Sequence, residues 1–260
     1  GDGGEVSDMR AELARRAASA EARVLGVTGT GGAGKSSVLD ELLLRLRRDD
    51  PALPIGMLLV DPTRRRKGGA LLGDRIRLNA LVDNSAAALR GGAGPRCFAR
   101  SFATRRAHLA LSQCVGDAVN VLKAAGYRLI IVETAGIGQS DSEIVDLADV
   151  SLYVMTPEYG APSQLEKIDM LDLADLIALN KSDRRGALDA LRDVRKQWRR
   201  NHTSFEARDD QVPVFATVAS RFHDRGVEQL YAAVRERLGL SRPAAMGGEV
   251  SAKFGWTDVA

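Results

Sequence analysis

Cysteine is nearly absent from this 260-residue chain; Cys97 and Cys114 are the only two and form no C-x-x-C pair. That excludes a zinc ribbon and a disulfide framework, and it suits a reducing compartment. No apolar stretch approaches the ~20 residues that a bilayer-spanning helix needs. The opening Gly1-Asp2-Gly3-Gly4 lacks the basic and apolar regions of a signal peptide. Cytoplasmic residence is therefore expected, with no membrane partner. The first residue is not Met, which fits an excerpt from a longer chain. Excess charge is also scarce. Lys plus Arg is 37 and Asp plus Glu is 34, a net charge of +3, too small to argue for nucleic acid. The one basic run, Arg64-Arg65-Arg66-Lys67, has no interleaved aromatics, so no nucleic-acid partner is expected. No fixed-period repeat or long low-complexity tract is present. What remains is ordinary globular composition, 45% hydrophobic and 27% charged, enough for one α/β domain with trimmings.

Short apolar runs alternate with longer amphipathic segments. Strands are expected at Arg23–Val27, Ile55–Val60, Cys97–Phe102, Arg128–Glu133, Val150–Met155, Leu176–Leu179 and Val212–Thr217. Several are continuously apolar, as strands covered on both faces should be. Val38, Leu42 and Leu46, with Leu39 and Leu43 beside them, make one helical stripe. Leu111, Val115, Val119 and Leu122 make another, and residues 185–200 and 226–238 also read as helices. The expected fold is an α/β P-loop NTPase, with a mostly parallel sheet and helices on both faces. Residues 1–22 would be a leading helix or linker, 23–240 the domain, and 241–260 a tail serving as linker or docking strap.

Gly29-Thr30-Gly31-Gly32-Ala33-Gly34-Lys35-Ser36 is G-x-x-x-x-G-K-[ST], placed after a strand and before a helix. Glycines let consecutive backbone N–H groups close on phosphate oxygens, and the following helix points its N-terminus at the anion. Lys35 adds a point charge toward the β- and γ-phosphates, and the Ser36 hydroxyl can hold magnesium. Nucleotide contacts are expected from Gly31, Gly32, Ala33, Gly34, Lys35, Ser36 and Ser37.

Acids follow at strand ends and in loops. Asp61 ends one apolar run, Glu133 ends another, and Asp74 lies in Gly73-Asp74-Arg75. Carboxylates there suit a hard cation such as magnesium. Solvated strand-end acids or helix caps are the plain alternatives, and a helix N-cap is a serious rival for Asp74. Glu133-Thr134-Ala135-Gly136 stands where many GTP-binding proteins have D-x-x-G, with the Gly136 amide sensing the γ-phosphate. Gln139 can orient the attacking water or serve as a structural loop amide. Arg77 would share a helical face with Asp74 and reach phosphate. The basic loop Arg64–Gly69 is either a solvated loop or a switch that orders with nucleotide.

Leu176–Leu179 runs into Asn180-Lys181-Ser182-Asp183, an N-K-x-D motif at a strand end. The Asp183 carboxylate can accept hydrogen bonds from the imino and amino groups of guanine. Adenine lacks that pair of donors, so binding it would leave the acid unpaired. Asn180 would brace the loop and the Lys181 stem would cover the base. A last nucleotide loop is expected near Thr217-Val218-Ala219-Ser220, with Ala219 and Ser220 at the nucleotide.

These stretches, with Val60–Pro62, Gly68–Arg75, Arg100–Arg105, Thr156–Met170, Asn180–Gln197 and Val214–Asp224, resemble the GTPase chaperones of adenosylcobalamin-dependent acyl-CoA mutases. In particular they resemble the G-protein domain of fused isobutyryl-CoA mutases, over roughly residues 24–235. The resemblance implies magnesium held by Ser36, Asp61, Asp74 and Glu133 with Thr134 adjacent, Arg77 on the nucleotide, and Asn180–Asp183 on guanine. It implies that GTP binding and hydrolysis to GDP gate cofactor loading and protection of a mutase, in the same chain or separate. A loop comparable to Thr156–Ile168 would relay nucleotide state. Catalytic duty falls on Lys35, Glu133 and Gln139, and a homodimer is compatible with the reading. The D-x-H-x-x-G cobalamin motif and the mutase barrel are missing, and His108, His202 and His223 lack that context. The chain is thus expected to be an excised G-domain or a standalone relative. Two rival functions remain. One is a nucleotide-gated docking module with incidental hydrolysis. The other is a metal-delivery GTPase, which would usually show a His-rich tract or clustered Cys.

Overall fold

The structure is a computed structural model that describes residues 2–61, 97–103, 108–134, 140–160, 165 and 168–240. The elements are α1 (Asp2–Ala18), β1 (Arg23–Gly29), α2 (Lys35–Asp49), β2 (Ile55–Asp61), β3 (Cys97–Ala103), α3 (His108–Ala124) and β4 (Leu129–Thr134). They continue with α4 (Ser140–Leu147), β5 (Val150–Met155), a 3₁₀ turn (Pro157–Tyr159), α5 (Met170–Leu173), β6 (Leu176–Asn180), α6 (Ala187–Asn201), β7 (Val214–Thr217) and α7 (Arg225–Arg237).

The seven strands form one sheet in the order β3-β2-β4-β1-β5-β6-β7, and every pairing is parallel. β1 lies between β4 and β5, and the chain builds β2 to one side of it and β5 to the other. The loop after β1 therefore emerges at the switch point, where open α/β sheets bind ligands. Alternate residues feed opposite faces. Leu25, Val27, Leu129 and Ile131 pack with Val38, Leu39 and Leu42 of α2 and Leu230 and Val234 of α7. Val24, Ile130 and Val132 face the other way, toward Val115, Val119 and Leu122 of α3 and Ile144 of α4. Beyond β5 a third cluster joins Tyr153, Ile177 and Val214 to Ala190 and Val194 of α6.

All seven expected strands are present, with ends shifted by a residue or two. β7 starts at Val214 rather than Val212. Pro213 has no N–H for the ladder, and its carbonyl accepts from Ile177 N (2.9 Å) as the strand begins. The leading helix ends at Ala18, because residues 19–22 turn the chain so that Arg23 N can donate to Arg128 O (2.9 Å). α2 stops at Asp49 ahead of Asp50-Pro51, where the residue before proline is pushed out of helical conformation. The short α4, α5 and the 3₁₀ turn had no expected counterpart. No helix among the described residues is long and apolar enough to cross a membrane.

Candidate functional site

Residues 30–34 link the end of β1 to the start of α2 at the carboxyl edge of the sheet. Thr30 N donates to Val154 O of β5 (3.1 Å), and Ala33 N closes the turn on Thr30 O (3.1 Å). Gly31 and Gly32 are exposed in this turn and Ala33 is buried beneath it. Gly34 adopts φ +86°, and a Cβ there would meet Asn180 Nδ2 at 2.6 Å. Only glycine meets both demands. α2 then begins with no side-chain cap and no acid in its first turn, leaving its positive dipole end and leading amides for an anion.

Lys35 is 9% exposed. Its ammonium donates to the carbonyls of Gly29 (2.9 Å) and Thr30 (3.3 Å), which holds it beneath the loop. A cavity of about 550 Å³ lies over this turn, walled by Ser36, Ser37, Asp40, Glu41 and Glu133 among others. Ser36 Oγ donates to Glu133 Oε1 (3.1 Å), so the first turn of α2 meets the end of β4 directly. Register puts Glu133 opposite Val27 on β1 and Leu59 on β2, and Thr134 opposite Val60. Asp61, the last residue of β2, thus sits at the same edge. Thr134 Oγ1 is buried there without a hydrogen-bond partner. Among the described residues no group of three or more His, Cys, Asp or Glu gathers to hold a metal. Asp74, Arg77, Gly136 and Gln139 lie outside the described residues, as do the basic run 64–67 and the tail 241–260.

The second half of the site is built on the ends of β6 and β7. Asn180 is 3% exposed and every polar atom of its side chain is engaged. Nδ2 donates to Ala33 O (2.8 Å), and Oδ1 accepts from Thr217 Oγ1 (3.2 Å) and Ala219 N (3.1 Å). Lys181, at φ +59°, reaches across to donate from Nζ to Gly32 O (2.7 Å). Ser182 N donates to Thr217 O (3.1 Å) and its hydroxyl to Leu179 O (2.6 Å), which closes the turn that presents Asp183. Asp183, Lys181, Arg184, Ala219 and Ser220 line a second cavity of about 260 Å³. The two cavities share Gly34, Ser37 and Ala219 as walls. The structure therefore brings the two loops together, although about 150 residues separate them in sequence.

Three wall residues escaped the sequence reading. Asp40 and Glu41 belong to the polar side of α2, and no pattern in the sequence marks this side as bordering a cavity. Arg184 directly follows the N-K-x-D motif and pairs with Glu158 of the 3₁₀ turn. The Glu158 carboxyl is held at about 2, chiefly by a hydrogen bond from Thr156, then by its own backbone and Arg184. This ion pair ties the loop after β6 to the first residues of the segment 156–168.

Known proteins resemble this chain. The chain is 54% identical over 230 residues to the fused isobutyryl-CoA mutase of Paraburkholderia xenovorans, covering 88% of this chain and 18% of that protein. To the fused isobutyryl-CoA mutase of Cupriavidus metallidurans it is 52% identical over 233 residues, covering 89% and 20%. The chain thus spans about a fifth of the length of these relatives. A putative GTPase of Pyrococcus horikoshii is 36% identical over 221 residues, 83% of this chain and 63% of that one. Among solved structures, the LAO/AO transport system kinase matches at a TM-score of 0.59 with 23% identity, over 89% of this chain and 63% of that chain. HypB from Helicobacter pylori in complex with nickel matches at 0.57 with 14% identity, over 93% and 97%. At those identities the structural matches speak to the fold, that of a P-loop NTPase. A family model described as methylmalonyl Co-A mutase-associated GTPase MeaB matches residues 7–251, and the chain accordingly belongs to the MeaB family of GTPases.

Proposed function

We propose that this chain binds magnesium-GTP, hydrolyses it to GDP and phosphate, and uses that cycle to gate cofactor loading and protection of an adenosylcobalamin-dependent acyl-CoA mutase. The observation that carries the nucleotide reading is the fastening of the two loops. Lys181 Nζ on Gly32 O and Asn180 Nδ2 on Ala33 O give a phosphate cradle and a carboxylate-bearing base cavity one common wall. A triphosphate in the larger cavity would lie against the amides of residues 31–37. The purine would then fall beside Asp183, whose carboxylate accepts from the guanine imino and amino groups, with Ala219 and Ser220 on the opposite edge. On binding, the Lys35 ammonium exchanges its two carbonyl partners for β- and γ-phosphate oxygens, neutralising charge as the terminal P–O bond breaks.

The residues present fit magnesium. Ser36, Glu133 and Thr134 are all-oxygen donors at one edge of the sheet, and the orphaned Thr134 hydroxyl lacks only a partner. Ser36, Asp61, Asp74 and Glu133 would hold the ion, with Thr134 beside it. When bound, it supplies electrostatic stabilisation of the phosphate oxygens. Gly136 would meet the γ-phosphate with its amide, Arg77 would contact phosphate, and Gln139 would place the attacking water. The mutase partner is supported by the family match and by the fused relatives, whose name places a mutase in the same polypeptide. The domain that does this runs over residues 23–240.

Nucleotide competition on wild type and Asp183→Asn tests the reading. Wild type should prefer GTP over ATP by orders of magnitude. The variant should weaken GTP and gain xanthosine triphosphate, whose base offers an acceptor where guanine has its amino group. Equal affinity of wild type for ATP and GTP would overturn the base assignment. Phosphate release with and without an acyl-CoA mutase tests the gating, which stimulation supports and indifference removes.

A further inference from the structure

The loop 218–220 forms one edge of the base cavity, yet no part of it belongs to a strand or helix. Two side chains hold it. From one side Asn180 Oδ1 accepts Ala219 N. From the other, Asp224 Oδ1 accepts Val218 N (3.1 Å) and also Val227 N (2.9 Å) in the first turn of α7. The neighbouring amide is spent inside the loop, since Arg221 N donates to Val218 O (2.9 Å). Asp224 is the N-cap of α7, but its oxygen does more than cap, because it joins the helix start to the loop six residues upstream. The start of α7 is packed hard on β7, because Gly226 lies so close to it that a Cβ there would sit 1.7 Å from Ala216 O.

We infer that Asp224 is a positioning residue for purine recognition. Its one carboxylate oxygen fixes Val218, and through it the backbone of Ala219 and Ser220, against the closely packed start of α7. The loop then meets the base without having to be ordered at the moment of binding, a cost that otherwise subtracts from affinity. Asp224 lines neither of the two cavities. The inference rests on the guanine reading above, because a cavity that did not bind a purine would leave this loop nothing to position.

The test uses the whole chain, with GDP and ADP as probes in magnesium buffer, isothermal calorimetry for affinity, and thermal unfolding for stability. Asp224→Ala should weaken GDP about tenfold, the scale of one lost charge-assisted hydrogen bond. It should leave ADP affinity and kcat at saturating GTP within about twofold of wild type. Asp224→Asn, which keeps an acceptor at Oδ1, should recover most of the GDP affinity. Val234→Ala, a cavity deep in the same helix, should lower Tm without changing the GDP-to-ADP ratio. The inference is overturned if Asp224→Ala keeps wild-type GDP affinity, or if Val234→Ala loses the GDP-to-ADP preference as far as Asp224→Ala does, since the effect would then be general loosening. If wild type itself shows no preference for GDP over ADP, the guanine reading falls and takes the inference with it, a result distinct from either of these.

Discussion

Replacing Asn180 with alanine should damage stability and nucleotide binding together, and the size of the damage can be worked from its contacts. The side chain is buried and serves three groups, Ala33 O, Thr217 Oγ1 and Ala219 N. Alanine leaves each without this partner, and a buried group left unsatisfied costs about 1–3 kcal/mol. The adjoining cavity admits water to part of this region, so each group counts toward the low end, for a total of about 3–4 kcal/mol. That is a large share of the roughly 5–15 kcal/mol that holds a domain folded. At about 2–4 °C per kcal/mol for a chain of this size, Tm should fall by roughly 6–16 °C. GDP should bind at least about tenfold more weakly, because the cradle and the base loop lose their shared brace. Its protection against unfolding, about 2.7 kcal/mol at a hundredfold excess over Kd, should shrink to match. Asn180→Asp separates the two functions of the side chain. It keeps the acceptor for Thr217 and Ala219 but turns a carboxylate oxygen toward Ala33 O, so it should be no more stable than the alanine variant. Urea and thermal unfolding with and without GDP read all of these quantities. An Asn180→Ala protein within about 1 kcal/mol of wild type, with GDP affinity intact, would refute the idea that this amide joins the two halves.

Tyr231 supplies a pH test. Its hydroxyl donates to Asp49 Oδ2 (2.9 Å), and burial, then Asp49, push the phenol up to about 12 from 10.0. A raised pKa means that the associated stability is complete below pH 10 and lost as pH climbs toward 12. Tyr231→Phe should therefore cost about 1–2 kcal/mol at neutral pH and flatten that alkaline decline, as followed by denaturant unfolding across the range. Lys35→Ala should reduce phosphate release to background while leaving the circular dichroism spectrum unchanged. Magnesium chelation should likewise stop turnover, and added magnesium should restore it. Persistent turnover in either case would mean that the cradle is misread.

The sheet was legible because its strands are buried on both faces. Runs such as Leu129-Ile130-Ile131-Val132 have no polar interruption, so a pattern of continuous apolarity marks them regardless of tertiary context. α4 and α5 were not legible. One has eight residues and the other four, too few to show a helical stripe, and their place is set by packing of Ile144, Met170 and Leu171 rather than by local preference. The loops carrying Gly29–Ser36 and Asn180–Asp183 were legible because their chemistry needs fixed spacings of particular residue types. Asp224 was not, since a helix cap and a loop anchor look identical in sequence and the Val218 contact exists only once β7 and α7 are packed. Asp40 and Glu41 were hidden for a similar reason, because exposed acids on a surface helix are the common case.

Ion pairs also join the helices behind the two loops. Arg45 of α2, buried to 6% side-chain exposure, pairs with Glu41 Oε2 (2.5 Å) and with Glu228 Oε2 of α7 (2.9 Å). Arg235 of α7 pairs with Asp49 of α2 (2.9 Å), both nearly buried. Arg235 and Asp49 are sheltered on both sides, so breaking that pair leaves a buried, uncompensated charge, whereas Glu228 is half-exposed and its pairing with Arg45 is screened by solvent. α2 carries the phosphate loop at its start and α7 carries the base loop through Asp224, so these pairs lock together the two helices behind the two grips. A displacement of Gly32 is shared with Lys181, and one of Ala219 is shared with Asn180 and Ala33. Under the proposed function, the difference between a triphosphate and a diphosphate would register beyond these two loops, and Ser36 against Glu133 at the end of β4 is one contact among the described residues that could carry it.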